Sequence, residues 1–135
     1  MTNKQLIREA LKTKETAQAP FSNFKVGAVL VTTDNRIYHG CNIETSSFSL
    51  TICAERVAIF KAVSEGEKRF KSIFIASDSE RFTPPCGACR QVLWELAGNI
   101  EVFLINRLGE FQKTFMHELL PQGFDRSFLI NHNQD

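Results

Sequence analysis

Phe70-Lys71-Ser72-Ile73-Phe74-Ile75-Ala76-Ser77, then a loop over residues 78–84, then Pro85-Cys86-Gly87-Ala88-Cys89-Arg90, is the stretch that decides how this chain folds. Ile73 to Ala76 is a short unbroken apolar run, which suits an interior strand covered on both faces. Residues 86–96 read as the helix that follows, with Val92, Leu93 and Leu96 on its apolar side and Gly98-Asn99 as its stop. Working outward, residues 51–64 read as a second helix with Thr51 as N-cap, so apolar all round that it should lie buried under a sheet. Residues 3–14 form a first helix, with Leu6, Ile7, Ala10 and Leu11 at helical spacing. Residues 24–31 and 36–41 are strands joined by an Asp34-Asn35 turn, residues 100–105 and 109–115 two more, and residues 116–120 a short helix closed by Pro121. The expected α/β architecture is one domain over residues 1–135, a mixed sheet of about five strands with helices on both faces.

Two clusters stand where helices begin close to strand ends, the place at which open α/β sheets collect ligands. Cys86 and Cys89 are three residues apart, so at a helix start their sulfurs converge, and Cys53 supplies a third thiolate. Three thiolates leave one position of a tetrahedral zinc open for water, the mark of a catalytic rather than a structural site. Glu55, two residues past Cys53, can reach that water and carry its proton without binding the metal. Three thiolates around a dication leave the centre negative, so a positive charge is expected nearby; Arg56 and Arg90, together with the helix N-termini, are the candidates.

Taken with Phe21-Ser22-Asn23-Phe24-Lys25-Val26-Gly27-Ala28, Gly40-Cys41-Asn42-Ile43-Glu44 and Leu119-Leu120-Pro121-Gln122-Gly123-Phe124, the clusters make residues 20–124 resemble the cytidine deaminases of the small, homotetrameric type. The resemblance implies a three-layer αβα sandwich and zinc held by Cys53, Cys86 and Cys89. It makes Glu55 the residue that takes the water's proton, protonates the ring at N3 and later assists the departing amine. It places Phe24 against the pyrimidine ring, Asn42 and Glu44 on the ribose 3′ hydroxyl, Ala54 among the substrate contacts, and Phe124 in a neighbouring subunit's site. Arg56 and Gln91 would surround Cys53. On the residues alone, Phe24 equally suits a core, Asn42 and Glu44 a solvated strand end, Gln91 an exposed helix face and Phe124 the anchor of a tail. Phe21 and Phe48 stand where the family often has tyrosine, and Thr45-Ser46 where it often has Asn-Ala, which bears on contacts between subunits.

Composition narrows the partners. Sixteen Lys and Arg against fifteen Asp and Glu give a net charge of +1, and no basic run suggests a nucleic-acid stripe; a small ligand fits better. No apolar stretch approaches a membrane span, and the start Met1-Thr2-Asn3-Lys4-Gln5 has no signal core behind it, so a cytoplasmic protein with reduced cysteines is expected. Twelve Phe in 135 residues is a heavy aromatic load, part of which could close an interface between copies. Two other readings stay open: a structural zinc module with Cys41 or one of His39, His117 and His132 as fourth ligand, and a deaminase of a nucleic-acid base or nucleoside-like antibiotic.

Overall fold

The computed structural model describes residues 1–130. Its centre is a five-stranded sheet in the order β2-β1-β3-β4-β5, built from β1 (Val26–Thr32), β2 (Ile37–Cys41), β3 (Phe70–Ser77), β4 (Glu101–Ile105) and β5 (Phe111–Phe115). β1 pairs antiparallel with both β2 and β3, β3 pairs parallel with β4, and β4 antiparallel with β5, so the sheet is mixed. The hairpin between β1 and β2 turns at Asn35, whose φ of 65° is one that Asn tolerates well.

Alternation along the central strands splits the core in two. Val29, Val31, Phe74, Ala76, Phe103 and Ile105 face α1 (Asn3–Lys14), which buries Leu6, Ile7 and Ala10 on them. Ala28, Leu30, Ile73, Ile75, Val102 and Leu104 face the opposite way, toward α2 (Ala54–Ser64) and α3 (Gly87–Ala97). Helices therefore cover both faces, and β3 is apolar along both because it is buried along both. Phe74 stacks on Phe103 with ring centroids 4.2 Å apart across the first layer. The short α4 (Met116–Leu119) buries Met116, and α5 (Ser127–Ile130) ends the described chain. Among the described residues no helix is long and apolar enough to cross a membrane.

Two expectations change. Thr51 does not cap α2: Ile52 makes a two-bond bridge with Ile43, which holds the chain extended as far as Cys53, and the Thr51 hydroxyl instead accepts from the Thr45 N–H at 3.2 Å. Cys53 becomes the N-cap residue, with no side-chain capping bond. Nor is α2 buried all round: Ala54, Ala58, Ile59 and Ala62 form the stripe against the sheet, while Phe60 and Val63 are 45% and 37% exposed on its outer side. His132 lies outside the described residues.

Gly40 lets α2 come down on the sheet. A Cβ there would stand 2.2 Å from the Ala54 carbonyl oxygen and 2.6 Å from the Ala58 nitrogen, both backbone atoms of the helix that carries Glu55. Gly40→Ala is expected to lower stability by about 3 kcal/mol, the upper part of the usual range for overpacking, seen as a clear drop in denaturation midpoint.

Candidate active site

α2 and α3 start side by side on one face of the sheet, and their first turns carry the sulfurs. Cys53 and Cys86 are the N-cap residues of the two helices and Cys89 lies in the first turn of α3, so all three sit in the positive field of helix N-termini. The three sulfurs lie within 4.8 Å of one another, with Cys53 Sγ and Cys86 Sγ 3.9 Å apart. A disulfide needs about 2.05 Å, whereas two thiolates 2.3 Å from one tetrahedral zinc stand about 3.8 Å apart. The trio has the spacing of metal ligands and fits zinc.

Cys53 and Cys89 are pushed in opposite directions. A hydrogen bond from Cys89 and the Arg56 guanidinium bring the Cys53 thiol down to about 5, while the same bond together with burial pushes Cys89 up. Arg56 Nη2 lies 3.5 Å from Cys53 Sγ and is the positive partner of the set. Arg90, the other candidate for that role, does different work: its Nε donates to the Pro85 carbonyl at 2.7 Å and its Nη1 to the Leu119 carbonyl at 2.8 Å, bracing the turn before Cys86. Nothing local in the sequence signals that second contact, which spans 29 residues.

Glu55 follows Cys53 by two residues and is 4% exposed. Burial pushes its carboxyl up to about 7, and the negative Cys53 adds to the effect. It opens into a cavity of about 310 Å³, near the lower end of the roughly 300–1,000 Å³ usual for small-molecule sites. Cys53, Ala54, Glu55 and Cys86 line that cavity together with the apolar Phe24, Val26, Ile52, Ile75 and Pro84 and the polar Asn42, Glu44, Ser22, Ser77, Thr51 and Thr83. Ser77 and Thr83 carry no motif that marks them beforehand, and Ser22 lies within the stretch from Phe21 to Ala28 with no role of its own assigned. Ser22 and Thr83 lie in loops, and Ser77 closes β3.

Both Asn42 and Glu44 line the cavity, but neither is the solvated strand end that spacing alone allows. Asn42 is buried and bridges the approach to β1, its Nδ2 donating to the Phe24 carbonyl at 2.8 Å and its Oδ1 accepting from the Val26 N–H at 2.9 Å. Glu44 accepts the Phe21 and Ser22 N–H groups at 2.9 and 3.0 Å and closely accepts the Ser22 hydroxyl, and these bonds, Ser22's first, hold its carboxyl below the usual carboxylate range. Gln91 donates to the Phe124 carbonyl at 2.8 Å rather than to Cys53, while the Phe124 ring stacks on Phe128 outside the cavity of its own chain. Cys41 points its thiol at the Thr16 carbonyl, His39 pairs with Glu9 and His117 with Asn99; none of them joins the three sulfurs.

The model of the cytidine and deoxycytidylate deaminase zinc-binding region matches residues 1–105. The chain belongs to that family. Among the family's proteins, a cytidine deaminase of Sporosarcina psychrophila is 47% identical over 130 residues, spanning 96% of each chain. One of Halalkalibacterium halodurans is 46% identical over 125 residues, 92% of this chain and 95% of the relative. The crystal structure of cytidine deaminase from Burkholderia pseudomallei superposes with a TM-score of 0.88 at 45% identity, covering 92% of this chain and all of that one. That likeness extends over both faces of the sheet, so the deaminase fold and the three-layer reading coincide.

Proposed function

We propose that this protein is a zinc-dependent hydrolase that converts cytidine and deoxycytidine to uridine and deoxyuridine with release of ammonia, as one catalytic domain serving pyrimidine salvage in the cytoplasm. One observation carries the reading: a buried carboxyl, Glu55, and three convergent thiols, two of which line the same cavity as Glu55.

Cys53, Cys86 and Cys89 would hold the zinc, whose Lewis acidity brings the pKa of a water toward neutrality. Glu55 would take one proton from the attacking water and pass it to N3 of the ring as the C4–O bond forms. The same carboxyl would then carry the water's second proton, left on the new C4 hydroxyl, to the amine, so that the C4–N bond breaks with ammonia as leaving group and the oxygen becomes the C4 carbonyl of the product. A carboxyl with a raised pKa suits both halves of that task, since it is a stronger base than an exposed glutamate and still acid enough to return the proton. Phe24 offers an aromatic wall to the pyrimidine, Ala54 a small surface that leaves room for it, and Asn42 and Glu44 a polar edge for ribose hydroxyls. A free nucleoside presents a 3′ hydroxyl that an internal nucleotide lacks, and the near-neutral charge also speaks against a polymer.

Purified protein incubated with cytidine, cytosine, CMP and a cytosine-containing oligonucleotide, followed by absorbance and product identification, tests this directly. Conversion of cytidine alone is the expected result; conversion of the oligonucleotide in its place would move the reading to a nucleic-acid base. We also infer a homotetramer in which Phe124 reaches a neighbour's site. The exposed Phe60 and Val63 on α2, the edge-to-face pair of Phe21 and Phe48, and the outward Phe124 and Phe128 support it as surface that a second copy would cover. Light scattering should give about four times the 15.3 kDa chain mass; a monomer would reject it.

A further inference from the structure

We propose that Lys14 and Asp78, which lie outside the cavity, are positioning residues that fix the Phe24 wall of the site, an inference that rests on the nucleoside reading above. Phe24 and Lys25 run ahead of β1 and Val26 opens it opposite Ser77, and the backbone polar groups of all three are bonded. Phe24 N–H donates to Ser22 Oγ at 3.1 Å, and its carbonyl accepts from Asn42; Val26 N–H returns to Asn42. Between them Lys25 turns the other way, as extended backbone must. Its N–H donates to Asp78 Oδ2 at 2.8 Å and its carbonyl accepts the Asp78 N–H at 3.2 Å. The segment that carries the ring is thus gripped from both edges, by Asn42 on one and Asp78 on the other.

Asp78 sits just past the end of β3, and with only the Lys25 N–H on one oxygen its carboxylate would be free to swing about that single bond. Lys14 prevents that. Its ammonium stands 2.8 Å from Oδ1, leaving Oδ2 for Lys25, and its side chain is only 9% exposed. Glu15 is the competing acid, but it stands 3.7 Å from Lys14, is well exposed, and also faces the Lys25 ammonium at 3.4 Å. The last turn of α1 that delivers Lys14 cannot drift away unnoticed, because it lies directly on β1: a Cβ at Gly27 would come within 2.3 Å of the Lys14 nitrogen and 2.7 Å of the Ala10 carbonyl oxygen. Helix α1, on the far face of the sheet from the sulfurs, thereby reaches the substrate wall through one ion pair.

Zinc-loaded wild type, Lys14→Met and Lys14→Arg test this with two readouts: hydrogen exchange of the peptide spanning residues 21–27, and separate kcat and KM for cytidine. Lys14→Met keeps the stem and removes the charge, so exchange should quicken and KM rise, each roughly tenfold, with kcat and zinc content near wild type. Lys14→Arg should restore both. Unchanged KM, unchanged exchange, failure of Lys14→Arg to rescue, or a parallel loss of kcat and zinc would overturn the proposal. Should Lys14→Met fail to fold, Asp78→Asn poses the same question from the other partner. A wild type that leaves cytidine untouched would reject the function itself, and the exchange readout would then decide the clamp alone.

Discussion

Glu55→Gln is expected to lower kcat for cytidine by about 10³-fold or more while zinc stays near one per chain, as read by steady-state kinetics and metal analysis of the same preparation. The substitution keeps the shape of a side chain that is 4% exposed, so packing at the start of α2 is retained. Among the described residues it removes the one group beside the sulfurs that can both take and return a proton: Arg56 is permanently charged, and Thr51, Ser77 and Thr83 are weak acids and weaker bases. The loss should fall on kcat more than on KM, since the carboxyl handles protons that move only during reaction. Retention of zinc separates the two roles in the cluster. If Glu55→Gln emptied the site of metal, Glu55 would be a ligand, and the assignment of three sulfurs with one proton carrier would fail.

The elements that matched their sequence reading most closely are those whose pattern depends on one surface. α1 runs over Asn3–Lys14 because its apolar residues recur at helical spacing against one face of the sheet, and β3 over Phe70–Ser77 because an unbroken apolar run suits a strand buried on both sides. The start of α2 was not legible, since a long-range partner sets it. Thr51 has the chemistry of a cap, but the bridge between Ile43 and Ile52 holds it extended and moves the cap to Cys53. The same division holds in the site. Cys86, Cys89, Cys53 and Glu55 are readable because short spacings at helix starts fix their directions. The grip of Asn42 and Asp78 on Phe24 to Val26, the brace of Arg90 on Pro85 and Leu119, and the bond from Gln91 to Phe124 join residues distant in sequence, and no local pattern encodes them.

Cys89→Ser should empty the metal site and abolish activity while leaving the sheet intact. Cysteine-rich zinc sites are worth roughly 10–16 kcal/mol, so one thiolate in three carries about 4 kcal/mol, or roughly a thousandfold in affinity. Serine cannot replace it, because its hydroxyl does not ionise near neutral pH and the position is fully buried. Each face of the sheet retains its own apolar cluster, so far-ultraviolet circular dichroism should stay close to that of wild type. Cys41→Ser is the matched control. Its thiol faces the Thr16 carbonyl, away from the trio, and zinc content should not change. A structural module would need a fourth protein ligand and would lose metal in some second variant of this kind; a catalytic site keeps its fourth position for water and depends on three. Zinc lost from Cys89→Ser and kept in Cys41→Ser would therefore remove Cys41 as a fourth ligand, and the same result for His39→Ala and His117→Ala would favour an open site, where Glu55 has a water to act on.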